Sequence, residues 1–302
     1  MGEWCQIWID GYGANHPSTV RQARVHINRI FQEFGDCPIG SHRPSQVKSW
    51  ITRLQSEELK ASYIYALYSR LAQIMTDAVH DGLIVKSPCS RRTAPSIGEQ
   101  RVHVATTDQV WQLYELFPAR MRLAVVLGAF VGLRLAEACG LRVEDVDFLR
   151  AVVYPKVQYP ARPLKSKTSK TPVPVPVSLV EQCSAQITAY GRCVTLLTGE
   201  DQGQLSPWAI ERAMRKARSE VKGLPAGFRY HDLRHYFASL LIASGGDVKT
   251  VQARLRHASA KTTLDTYGHI WPDRDESTRA AVDAVLAAYL TEQRRNSATA
   301  GT

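Results

Sequence analysis

His231-Asp232-Leu233-Arg234-His235-Tyr236-Phe237-Ala238-Ser239 is the stretch whose reading decides the fold. His231 and Arg234 are three residues apart, so a helix carries them on one face. Leu233, Phe237, Leu240 and Leu241 fall on another face and anchor that helix in a core. The polar pair then points into a cleft. Taken alone, such a pair is as readily an ordinary surface feature. His231 and His235, at i and i+4, also have zinc spacing, but zinc needs a third ligand and no glutamate completes a His-Glu-x-x-His motif.

Further candidates flank this helix. Upstream, Gly132-Leu133-Arg134-Leu135-Ala136-Glu137 opens another helix. An arginine at a helix start works against the helix dipole, which points to a different task, and Glu137 one turn on can fix its guanidinium. Downstream come His257 and then Asp265-Thr266-Tyr267-Gly268-His269. Gly268 reads as a helix stop that leaves Tyr267 at an exposed, adjustable end. Cleaving a phosphodiester without metal needs a nucleophile, charge neutralisation and a proton donor for the leaving oxygen. Arginine forks match two phosphate oxygens, histidines move protons near neutral pH, and a phenol can attack. Arg134, His231, Arg234, His257 and Tyr267 supply these parts. Each alone has a plainer structural reading.

Bulk properties agree. The 302 residues are long enough for two cores. The formal charge of +10 suits a polyanion partner. The longest apolar run, Leu123 to Val131, is far short of a membrane span, and Met1-Gly2-Glu3-Trp4 does not begin a signal peptide, so a cytoplasmic, nucleoid-associated protein is expected. The six cysteines form no C-x-x-C pair and read mostly as small buried hydrophobes.

Periodicity predicts helices over Arg21 to Phe34, after a Ser45 cap through Leu54, and over Ser62 to Val79, with Gly82 as a stop. Residues 90 to 105 lack periodicity and carry Arg91, Arg92 and Arg101. Thr107-Asp108 reads as a cap for the next helix, and Met121 to Val131 as a buried one. From 146 to 180 the valines, ending in Val173-Pro174-Val175-Pro176-Val177, predict a small antiparallel sheet whose last strand lies at an edge. Helices return from Pro207, the last over Thr278 to Tyr289, and residues 293 to 302 read as disordered.

Order and spacing together resemble the tyrosine recombinases, or phage-type integrases. Gly-Leu-Arg-Leu-Ala-Glu-Ala-Cys-Gly-Leu (132 to 141) is similar to the family's first arginine box. His231 to Ser239 is similar to the second. Leu-Arg-His-Ala-Ser-Ala-Lys-Thr-Thr-Leu-Asp-Thr-Tyr-Gly-His (255 to 269) resembles the histidine-to-tyrosine segment, and Ala78 to Ile84 matches the helical core-binding domain. The resemblance implies a mainly α fold with a small antiparallel β-sheet, organised as a two-domain DNA clamp. A SAM-like core-binding domain would occupy 1–95, a linker 96–106, the catalytic domain 107–290 and a disordered tail 291–302.

The same resemblance implies that Tyr267 forms a 3′-phosphotyrosyl link while Arg134 and Arg234 clamp the phosphate. His231 would move protons, and His257 would bond the phosphate. A hairpin lysine would protonate the leaving 5′-oxygen; the register favours Lys165, with Lys167 next and Lys170 on DNA backbone. Arg256 stands where the family has glycine, and either adds a DNA contact or crowds the turn. No cofactor or metal is implied. The partners implied are double-stranded recombination sites, three further protomers in a synaptic tetramer to which the 280 to 289 helix docks, and accessory DNA-bending or directionality proteins. The family's arm-binding domain has no counterpart, which implies simple sites or a start internal to a longer protein. The rivals are type IB topoisomerase-like relaxation and a non-catalytic DNA-binding regulator.

Overall fold

Trp4, Cys5, Trp8 and Ile9 repeat on one side of a helix, and that side is buried. This helix, α1 (Gly2–Gly11), opens the computed structural model, which describes residues 1–15, 17–98, 102–164, 166, 168–191, 193–271, 283, 284 and 286. The chain divides into two compact units, Met1–Arg101 and Val102–Thr302.

The first unit packs α1 with α2 (Pro17–Phe34), α3 (Pro44–Ser56) and α4 (Ala61–His80). The Trp4 indole donates to the Ile74 carbonyl at 3.0 Å and the Trp8 indole to Asp77 Oδ2 at 2.6 Å, which fastens α1 to α4. Ile30, Leu67, Leu71, Ile74 and Met75 are fully buried between the helices. Helix α3 begins at Pro44, so Ser45 lies inside it rather than capping it. Gly82, at φ +72°, ends α4 as expected. The Tyr68 hydroxyl donates to the Ser90 carbonyl at 2.6 Å and meets Thr93, so the start of the aperiodic stretch is held on α4.

The second unit is built around α6 (Arg122–Val131), which is buried almost all round, as its unbroken apolar run requires. It is flanked by α5 (Thr107–Leu116), α7 (Leu135–Gly140) and α8 (Val177–Tyr190), α10 (Tyr230–Ala243) packs along it, and α9 (Pro207–Glu220) packs on α5, α7 and α10. Thr106, not Thr107, caps α5 by accepting from the Gln109 N–H. Two short antiparallel sheets form rather than one. β1 (Val146–Asp147), β2 (Val152–Val153) and β5 (Val173–Pro174) are ordered β1-β2-β5, which puts the proline-bearing strand at an edge. β3 (Val157–Gln158) pairs with β4 (Arg162–Pro163) in a separate hairpin. Two short helices, α11 (Val248–Leu255) and α12 (Ala260–Tyr267), follow α10.

The helix expected over Thr278 to Tyr289 and the tail beyond it lie outside the described residues, but for 283, 284 and 286. Among the described residues no helix is long and apolar enough to cross a membrane. Cys5, Cys139 and Cys183 are buried as expected, whereas Cys37 is exposed and Cys89 and Cys193 lie between.

Candidate active site

Gly132 sets the geometry of the first arginine. It ends α6 in the left-handed region, at φ +65°. A Cβ there would come 2.5 Å from the Phe237 ring, so only glycine fits. The chain then turns and presents Arg134 as the cap residue of α7. The Arg134 N–H donates to Glu137 Oε2 and its Nη1 to Oε1, both at 2.9 Å. Glu137 is buried, while the Arg134 side chain is 38% exposed and open to a ligand. Gly140 lets α7 lie on the β3 backbone: a Cβ there would meet Gln158 Cα at 2.7 Å.

Arg234 lies beneath, 1% exposed on α10. Its Nη1 donates to the Gly132 carbonyl and its Nη2 to the Leu255 carbonyl, so one guanidinium joins the first arginine turn to the end of α11. Among the described residues these two bonds use two of its five N–H groups, which leaves three for a further acceptor.

Arg256 is buried as deeply as Arg234: it is 2% exposed, with Nη2 donating to Glu137 Oε2 at 2.6 Å and Nη1 to the Ser169 carbonyl at 3.3 Å. Its backbone takes φ 55°, ψ 42°, the left-handed cap that glycine favours and that costs other residues about 1–2 kcal/mol. The buried ion pair holds it there, and the turn places His257 next.

Tyr267 departs from expectation. It is 1% exposed, in a small cluster with Phe237, Ala238, Ile242, Val251 and Leu255. Helix α12 ends at Tyr267 with Gly268 as its C-cap, as expected, but Gly268 takes right-handed φ −52° and leads straight into the turn Gly268–Ile270, and the Trp271 indole donates to the Gly246 carbonyl at 3.1 Å, closing the segment. The Tyr267 hydroxyl sits 2.7 Å from Nδ1 of His235. His257 stacks on the tyrosine ring at 6.4 Å between centroids, with its Nδ1 2.9 Å from Thr263 Oγ1. His231 is exposed and meets His235 edge-on at 5.0 Å.

The electrostatics follow from crowding cations under the surface. Burial works against charge on Glu137, but Arg256 and Arg134 overcome it and hold the carboxyl below the usual range. Burial and then Arg234 press His257 down to about 4. Burial, His231 and Arg234 press His235 to about 4 as well. Both imidazoles are therefore neutral at physiological pH. Burial pushes the Tyr267 phenol up to about 12, against the pull of Arg234, so it does not ionise by itself.

Arg134, Arg234, His231, His257 and Tyr267 are thus linked through Glu137, Gly132, Leu255 and His235. Lys165 and Lys167 lie outside the described residues. Lys170 is exposed, at the end of the Thr168–Lys170 turn whose Ser169 carbonyl receives Arg256. Sequence reasoning weighed His235 only as a zinc ligand. Its place one turn after His231 was the available signal for a part in the site. Among the described residues no group of three or more His, Cys, Asp or Glu is arranged to hold a metal ion.

The fold is that of integrases caught on DNA. A Tn1549 transposon integrase in complex with transposon right end DNA superposes with a TM-score of 0.79 at 19% identity, over 94% of this chain and 98% of that one. A lambda integrase tetramer bound to a Holliday junction gives 0.72, also at 19% identity, over 90% and 77%. The sequence model of the phage integrase family matches residues 103–274, and the chain belongs to that family of tyrosine-type site-specific DNA recombinases. Its relatives include the prophage phiRv2 integrase of Mycobacterium tuberculosis, 27% identical across 93% of this chain and 77% of the relative. The tyrosine recombinase XerC of Agrobacterium fabrum is 27% identical across 74% and 73%.

Proposed function

We propose that this chain cuts and rejoins duplex DNA at the recombination sites of a mobile element, with Tyr267 as nucleophile. Arg134 and Arg234 hold the non-bridging oxygens of the scissile phosphate, and His257 bonds one of them. His231, at the exposed rim, serves proton transfer. The tyrosine oxygen bonds to phosphorus as a 3′-phosphotyrosine, and the departing 5′-oxygen takes a proton from a lysine, Lys165 or next Lys167. Lys170 neutralises DNA backbone. The bond energy is kept in the phosphotyrosine, so neither ATP nor metal is consumed. The DNA-binding unit is placed in residues 1–95, the linker in 96–106 and the catalytic unit in 107–290. The two act on one duplex as a clamp, and four protomers form the synapse. The DNA complexes and the junction-bound tetramer of the structural neighbours support this assembly. Accessory DNA-bending or directionality proteins set the direction of exchange.

One observation carries the reading: a single buried guanidinium, Arg234, ties together the turn that presents Arg134 and the turn that presents His257, beside the Tyr267 phenol. That is a phosphate clamp assembled around a nucleophile. The test is strand cleavage by Arg234→Ala on DNA flanking the gene. Loss of a preorganised electrostatic clamp costs about 10²–10³ in rate, with specific DNA binding kept. Cleavage within about tenfold of wild type contradicts the clamp.

A further inference from the structure

A tyrosine nucleophile must lose its proton as it attacks, and burial makes that loss harder here. Among the described residues one group stands at hydrogen-bond distance from the oxygen concerned. Nδ1 of His235 is 2.7 Å from the Tyr267 hydroxyl, with the rings edge-on at 5.6 Å between centroids. The other imidazoles are engaged elsewhere. His257 lies parallel to the tyrosine ring with its Nδ1 on Thr263, and His231 faces outward. On the far side of His235, Nε2 is 3.9 Å from Asp232 Oδ1, and the side chain is only 14% exposed.

We propose that His235 is a catalytic residue, the base that takes the Tyr267 proton during attack, with Asp232 positioned to stabilise the imidazolium that forms. This rests on the reading of Tyr267 as nucleophile. The Oη–H bond breaks and its proton passes to Nδ1. The oxygen electron pair forms the bond to phosphorus. The bond from phosphorus to the 5′-oxygen breaks, and that oxygen takes a proton from the lysine, Lys165 or Lys167. On rejoining, the 5′-hydroxyl attacks and returns its proton to the lysine, while Oη leaves and recovers its proton from Nδ1. Nothing beyond the DNA is consumed.

The environment suits a base with one brief task. Burial, His231 and Arg234 keep His235 neutral at rest, so its nitrogen is free to accept. A phosphate held by the two arginines adds negative charge nearby and raises the imidazole's basicity as the reaction begins. Acceptance at Nδ1 requires the resting proton on Nε2, the nitrogen nearest Asp232. The titratable and charged groups about His235 are His231, Asp232 and Arg234 on its own helix, Tyr267 from α12 and His257 from the preceding turn.

The experiment is covalent trapping on nicked duplexes tiled across the DNA flanking the gene, made with either ordinary oxygen or sulfur at the bridging 5′ position. Sulfur leaves without a proton, so it cures a missing acid but not a missing base. Wild type, Tyr267→Phe, His235→Asn and His235→Ala are compared from about pH 6 to about pH 9. We expect wild type to be nearly flat across this range and both His235 variants to be slower by about 100-fold near neutrality. Their rates should climb with pH as solvent base replaces the imidazole, and sulfur should not rescue them. Variants within about threefold of wild type, or rescued by sulfur, overturn the proposal. An adduct with Tyr267→Phe, or none with wild type, sinks the nucleophile reading and this proposal with it, and those lanes show which has failed. Nitrogen NMR of the wild-type protein reads the tautomer without any variant: a proton resting on Nδ1 of His235 also overturns the assignment.

Discussion

The two units differ in what they bury. In the first, the interior is Trp4, Ile30, Trp50, Leu67 and Leu71, and the buried polar side chains among the described residues are His26, His42 and Thr93. In the second, Glu137, Asp145, Arg234 and Arg256 are all below the surface. Burying ions is a poor route to stability, because desolvation rivals the attraction regained and an apolar core of the same volume does as well. A recombinase needs guanidiniums dry, fixed and aimed before phosphate arrives. The first unit therefore buries an apolar interior, and the second gives up some stability to hold these ions below the surface.

That contrast can be broken most directly at Glu137. Glu137→Ala leaves Arg256 buried with no carboxylate and frees Arg134 to wander, so the second unit should lose about 3–5 kcal/mol. Hydrogen exchange read by mass spectrometry should show the loss there, with the first unit unmoved. A loss below about 1 kcal/mol would mean that the buried pair is not what holds the site. In the first unit a comparable effect needs a cavity instead. Leu71→Ala should cost about 3 kcal/mol, seen as faster exchange in α1 and α4. An equal loss in the second unit would show that the two cores are not separate.

Acid should sharpen the difference further. His235 and His257 are held at about 4 in the folded chain, below the ordinary imidazole value. The unfolded chain therefore binds protons first as pH falls, and stability is lost below about pH 6.5 and down through about pH 4. Between about pH 6 and about pH 5 the two imidazoles together should cost the second unit about 2 kcal/mol. His26 and His42 are lowered by burial as well, so the first unit should move in the same direction. Denaturant melts taken at each pH check this. Stability in the second unit that rises on acidification would put the imidazoles in their charged form.

Much of this was legible in the sequence, in proportion to how local each signal was. The helical spacing of Ile64, Leu67, Leu71 and Met75 gives α4, and Val173-Pro174 gives an edge strand, because both depend on nearby residues. Helix α1 was missed although Trp4, Cys5, Trp8 and Ile9 carried its pattern; the acidic, polar first residues drew the reading elsewhere. Arg134, His231, Arg234, His257 and Tyr267 are singled out in the sequence by order and spacing, and the structure brings them near one another. Their burial is not legible there, because it depends on contacts across the chain. Arg256 meets Glu137 119 positions away, and no local pattern announces that pair. Tyr267 reads as exposed if the chain leaves the core at Gly268, but in the structure the turn after α12 runs on to Trp271 and keeps the phenol buried.

The measurement that tests the central claim most directly is the covalent trap itself. Nicked duplexes from DNA flanking the gene are incubated without metal or ATP, wild type beside Tyr267→Phe, and run on a denaturing gel. The account predicts a protein–DNA adduct with wild type alone, joined through residue 267 by peptide mapping, while both proteins bind the site equally. An adduct that persists in Tyr267→Phe, or specific binding by wild type with no adduct at all, would contradict it.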